Sequence, residues 1–167
     1  FAQGGISTLY YAERLYQLPL ALFGISIGTV LLPTLSSLDI KDDLQEINLI
    51  LKKSIKIALL MSIPAAIGLS MLSTPLISLI YQHGLFTELN TSVVAKTLIA
   101  FSIGLPAFVL IKIYLPIFYS LGDTENPFKY SLIAIAVNII LGIFLFPIYG
   151  VIGLAISTSF SSWTVSY

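Results

Sequence analysis

Three stretches of the chain, Leu15 to Leu38, Ile57 to Thr87 and Tyr130 to Tyr167, contain no Asp, Glu, Lys or Arg, and the first is headed by an adjacent acid and base, Glu13 and Arg14. A helix needs about 20 apolar residues to cross a hydrocarbon core of about 30 Å. Each stretch is long enough to cross, and the last is too long for one crossing. Pro147, Tyr149 and Gly150 place turn chemistry in its middle and divide it in two. A fourth region, Ser92 to Leu121, is apolar apart from Lys96 and Lys112. The helices expected are 1–12 (partial), 13–37, 54–80, 92–120, 129–146 and 150–167 (partial), all in one transmembrane domain. The expected fold class is an all-α polytopic membrane protein. Phe1 at the start, and the helix-like run from Ser161 to Tyr167 at the end, lead us to expect an internal fragment of a longer chain.

Composition narrows the function. Hydrophobic residues make up 57% of the chain and charged residues 10%, with a mean hydropathy of +0.98, as in membrane proteins. Eight Lys and Arg balance eight Asp and Glu, which leaves no basic excess for nucleic acid. The absence of Cys removes disulfides and thiolate chemistry, and the lone His83 cannot build a metal site. No Ser-His-Asp set in a familiar local context, no phosphate-cradling glycine loop and no paired intramembrane carboxylates are visible. A transporter without a cofactor is expected, not an enzyme.

Orientation follows from the basic residues of the short connectors. Lys41, Lys52, Lys53 and Lys56 lie at one connector and Lys129 flanks another, against Lys96 and Arg14 on the opposite side. The side richer in Lys and Arg is cytoplasmic, so Asp39 to Lys53 and Gly122 to Pro127 (GDTENP) are assigned there. The turns at Tyr81 to Asn90 and Pro147 to Gly150 then face outward. Prolines and glycines are frequent within the spans. Gly24 with Gly28, and Gly153 with Ser157 and Ser161, form small-residue faces suited to close helix approach.

Two cations within apolar sequence carry the functional candidates. Arg14 is either an interface anchor alongside Tyr10, Tyr11 and Tyr16, or a cavity residue that binds an anionic group through its planar fork of donors. Glu13 sits beside it on a different helical face. Lys112 either snorkels toward the cytoplasm or contacts a charged substrate or an acid on another helix. Asn138 and Thr158, deep in the last two spans, either hydrogen-bond between helices or hold a cation through amide, hydroxyl and carbonyl oxygens.

The run Leu9 to Ser36, LYYAERLYQLPLALFGISIGTVLLPTLS, closely resembles a segment of the MurJ (MviN) family of lipid II flippases. Further matches follow in order: IPAAIG (Ile63 to Gly68), YQHGLF (Tyr81 to Phe86), Gly104 with Lys112, then Phe118 and Tyr119 leading to Asp123, Thr124 and Pro127. The resemblance implies a two-lobed bundle of about 14 transmembrane helices in the multidrug, oligosaccharidyl-lipid and polysaccharide exporter superfamily. This chain would be its middle third, from the end of helix seven into helix twelve, in the bacterial cytoplasmic membrane. It implies alternating-access movement of an undecaprenyl-pyrophosphate-linked precursor (lipid II) for cell wall synthesis. Arg14 would line a cationic cavity for the pyrophosphate, with Lys112 and Glu13 as further substrate contacts. The partners implied are lipid II, membrane lipid and the remainder of the same chain. Some relatives bind sodium through polar side chains of later helices, which makes Asn138 and Thr158 an ion-site candidate and sodium or the membrane potential the coupling candidates. Gly142 stands one turn after Asn138, where a carboxylate would strengthen such a site. The alternatives are a related polysaccharide-unit or multidrug exporter and, from a different class, a structural membrane subunit or a lipid-modifying enzyme.

Overall fold

The computed structural model describes residues 5–38, 44–83 and 86–166. All regular structure among them is helical. The elements are α1 (Gly5–Pro19), a wide π-type segment (Leu20–Ile25), α2 (Ser26–Ser36), α3 (Leu44–Met71), α4 (Ser73–Tyr81), α5 (Glu88–Ser120), α6 (Glu125–Tyr149) and α7 (Val151–Val165). Four helical runs are long and apolar enough to cross a membrane, and α7 is a shorter apolar helix.

The break expected at residue 12 does not occur. From Gly5 to Ser36 the chain is one helical path, because no glycine or proline interrupts Ile6 to Leu18 and the Glu13–Arg14 pair sits away from the packed face. The described residues therefore make five passages where six were expected. Arg14 lies nine residues beyond Gly5, about 14 Å along the axis at about 1.5 Å per residue, not one turn from a helix end. The connector assigned to the cytoplasm also shortens, since α3 already begins at Leu44. Ile47, Ile50 and Leu51 recur at helical spacing and pack against the core, so polar composition hid a helix there. Residues 39–43 of that connector lie outside the described set, as do Gly84 and Leu85 of the YQHGLF turn.

The span expected over 54–80 is broken at Leu72. Pro75 has no N–H to donate to the carbonyl of Met71, so α3 stops there, and α4 starts with Pro75 in its first turn, where no donor is needed. α6 starts at Glu125 because the Asp123 carboxylate accepts from the backbone N–H groups of Glu125 and Asn126, 3.1 Å each. Those bonds, chiefly that from the Asn126 backbone, hold the Asp123 carboxyl below its usual range. At its other end α6 runs through Pro147 to Tyr149, and the turn is made by Gly150 alone, at φ +60°.

α5 forms the centre of the bundle. Val94, Leu98, Leu105, Val109 and Ile113 are fully buried along it, and α1, α2, α3, α4 and α7 pack around it, while α6 rests on α7. α1 and α2 run parallel to α5: Tyr16 stacks on Phe101 and Phe108 at 4.9 and 5.4 Å between ring centres, and further along Gly24 and Gly28 meet Lys112 and Pro116. The end of α2 at Ser36 and residues 121–124 after α5 thus lie at one end of the bundle. Without a hydrophobic drive between helices in lipid, close packing and interhelical hydrogen bonds hold such a bundle. Ser159 donates to the Ala100 carbonyl at 2.7 Å and Trp163 Nε1 to the Ile103 carbonyl at 3.0 Å, both in the stretch of α5 just before Pro106. Gly153, Ser157 and Ser161 are all buried, as the small-residue spacing anticipated.

Candidate functional site

Helical phase separates the two faces of α1. Ala12, Leu15 and Tyr16 are buried toward α5, and the opposite side presents Tyr10, Glu13, Arg14 and Gln17. Arg14 is exposed on this stripe. Its Nη2 donates to the Tyr10 hydroxyl one turn earlier, and its guanidinium carbon lies 4.8 Å from the centre of the Tyr10 ring, a cation–π arrangement. Glu13 accepts from Gln17 Nε2 at 3.0 Å. Among the described residues the sole ion pair is the exposed Lys129–Glu125 bridge, so Glu13 and Arg14, though adjacent, do not neutralise each other.

The three tyrosines have separate fates. Tyr16 is a core residue. Tyr11 packs against Tyr81 and Phe86 at 4.7 and 5.7 Å, tying α1 to the far-end turn, and only Tyr10 stays with Arg14. The Tyr10 and Tyr11 rings meet edge to face at 6.2 Å, whereas Tyr16 is turned away from both into the core. Tyr10 and Gln17 were missed as site members by reading charges alone. Their spacing of three and four residues from Glu13 and Arg14 is the signal that identifies them.

Lys112 is exposed on α5, with its Cβ 3.3 Å from the place a Gly24 side chain would occupy. Gly24 lies ten residues beyond Arg14, so the two cations are about 15 Å apart along the axis. The structure does not bring them into one site. Lys112 instead borders a groove of about 320 Å³ between α2 and α5.

Asn138 and Thr158 do meet. Asn138 Nδ2 donates to Thr158 Oγ1 at 3.3 Å, and Ser157 donates to Asn138 Oδ1 at 2.9 Å. Thr158 donates in turn to the Leu154 carbonyl at 2.9 Å, and Gly142 approaches Leu154 and Ser157. The donor set is neutral, and no cluster of three or more His, Cys, Asp or Glu occurs among the described residues. These groups fit one another as an interhelical network and supply no charge to hold a cation. Asn138→Ala is expected to cost about 0.6 to 1.7 kcal/mol, the range for such bonds in membranes, read as a lower unfolding midpoint in lipid. A sodium-dependent rise in the midpoint of the unaltered protein, absent in the variant, would instead mark an ion site.

Comparison with known proteins bears on the same residues. The family profile "Lipid II flippase MurJ" matches residues 1–167. The chain is 42% identical over 163 residues to a probable lipid II flippase MurJ of Rickettsia prowazekii, covering 98% of this chain and 32% of that protein. It is 38% identical over 151 residues to the lipid II flippase MurJ of Thermosipho africanus, covering 90% of this chain and 31% of that one. A solved lipid II flippase MurJ in an inward closed conformation superposes with a TM-score of 0.90 at 37% identity, over 99% of this chain and 35% of that one. The chain thus spans about a third of the length of these relatives.

Proposed function

Because this chain belongs to the lipid II flippase MurJ family, matched along its whole length, we propose that it supplies one wall of the path by which a lipid-linked pyrophosphate precursor crosses the bacterial cytoplasmic membrane by alternating access. The observation that carries the reading is the stripe Tyr10, Glu13, Arg14 and Gln17, set opposite the packed face of a helix long enough to span the bilayer. A row of polar side chains facing hydrocarbon is costly. A water-filled cavity completed by the rest of the transporter accommodates it.

Arg14 is the group that meets the pyrophosphate. Its guanidinium has no carboxylate partner among the described residues and holds planar donors suited to phosphate oxygens. Tyr10 restrains it without cancelling its charge. Glu13, held by Gln17, adds a negative charge beside the site that limits how tightly the anion is held, and so favours its release. No bond is made or broken in this role; recognition by charge and a change of access suffice. Sodium or the membrane potential would supply the drive, and no step at Asn138 and Thr158 is needed for the binding itself.

The stripe is tested by accessibility. In the full-length transporter freed of other reactive thiols, Gln17→Cys is expected to react with a membrane-impermeant maleimide and to be protected by undecaprenyl pyrophosphate. A thiol at Gln17 that stays unlabelled from either side, while one placed in the 121–124 connector labels, would put the stripe in lipid and remove the basis of the reading.

A further inference from the structure

We infer that the groove between α2 and the cytoplasmic half of α5 is a second diphosphate-binding station, separate from Arg14 and met first by a substrate that enters from the cytoplasm. This rests on the function proposed above and deepens it. The groove, about 320 Å³, is lined by Gly28, Thr29 and Leu32 of α2 and by Lys112, Pro116 and Tyr119 of α5. It exists because the helices touch at a glycine: a Cβ on Gly28 would lie 2.6 Å from the Lys112 carbonyl oxygen and 3.5 Å from the Pro116 ring.

Its chemistry suits one kind of occupant. Lys112 is exposed and makes no ion pair, since the bridge between Glu125 and Lys129 is the only one among the described residues. The Tyr119 hydroxyl, half exposed at the mouth two turns further along, has no hydrogen-bond partner among them either. The Thr29 hydroxyl donates to the Ser26 carbonyl at 2.9 Å. The rest of the lining is apolar, so an anionic head with a hydrocarbon tail fits where a free anion would leave most of the wall unpaired. Placement names the occupant. Lys112 lies about 15 Å from Arg14 along the axis, on the side of the 121–124 connector, and the Arg14 guanidinium is turned the other way, back toward Tyr10, so the two cations form separate sites. A single lysine holds the anion weakly, which fits a point the substrate passes through.

The test uses the full-length transporter in phosphatidylcholine nanodiscs, with undecaprenyl pyrophosphate as the binding probe and phosphatidylglycerol as competitor. Lys112→Met is expected to weaken binding about fivefold to tenfold and slow flipping, Lys112→Arg to restore most of both, and phosphatidylglycerol not to compete. Unchanged binding and flipping in Lys112→Met, with Arg14→Ala still defective, would overturn the second station and leave the proposed function standing. Competition by phosphatidylglycerol would make the groove a phospholipid headgroup site and overturn it equally. An equal loss in Lys112→Met and Lys112→Arg together with a lower melting temperature would reduce Lys112 to a packing role.

Discussion

Arg14→Ala in the full-length transporter is expected to abolish flipping while membrane expression and the melting temperature stay near those of the unaltered protein. The side chain is exposed and lies against the Tyr10 ring and hydroxyl, so its removal leaves no cavity in the core. On the proposed function, what is lost is the cation that meets the pyrophosphate. Hydrogen bonds to charged groups contribute about 1.5 to 3 kcal/mol each, which is about a tenfold to hundredfold loss of affinity for the pyrophosphate. Arg14→Lys keeps the charge and gives up the planar fork, so an intermediate defect is expected. The measurements are complementation of a strain depleted of its own flippase and binding of undecaprenyl pyrophosphate. Full complementation by Arg14→Ala would sink the assignment of this residue.

Gly104→Val should damage the fold itself. A Cβ at Gly104 would stand 2.5 Å from Ser159 Oγ, 2.8 Å from its Cβ and 2.9 Å from its Cα, so relief requires moving the backbone of α7, not turning a side chain. The Ser159 hydrogen bond to the Ala100 carbonyl sits at the same crossing and would be lost with it. Overpacking of this kind costs about 1 to 3 kcal/mol, occasionally more, and a drop in melting temperature in lipid with reduced expression is the expected readout. Gly68→Ala is the control, because nothing lies within 4 Å of its added Cβ and a helix interior favours alanine over glycine. Equal melting temperatures for the two variants would refute the close α5–α7 crossing.

How much of this could be read beforehand depended on which physical cue each feature leaves in the sequence. The spans were legible because a bilayer imposes a length of apolar residues, and the small-residue faces because helices in lipid meet where side chains are absent. Gly28 against the Lys112 carbonyl is an instance of the second. The missing break at residue 12 was not legible, since charge alone does not end a helix. The stop at Leu72 depended on the donor that Pro75 lacks within an otherwise uniform apolar run. At the site, Arg14 stood out by type, whereas the separation of Arg14 from Lys112 came from parallel packing that no local pattern encodes. Tyr16 shows the same limit: its ring belongs to the core because of helical phase, although its residue type equally suits an interface.

The wide segment Leu20–Ile25 has a consequence for chain length. There the Ser26 N–H reaches back five residues to the Ala21 carbonyl, just after Pro19 has left a carbonyl of the preceding turn without its donor. Such a turn holds one residue more than an α-turn. The buried positions register the addition: Ala12 and Tyr16, continued at regular spacing, would lead to residues 23 and 27, but the chain buries Gly24 and Gly28. The surplus residue lets both halves of the helix face α5 at once. Loss of a single residue from Leu20–Ile25, a change most loops would absorb, would rotate the half bearing Arg14 by about 100° relative to the half bearing Gly28. The reading frame of helical faces, and not only the choice of amino acids, therefore constrains what this stretch can lose or gain.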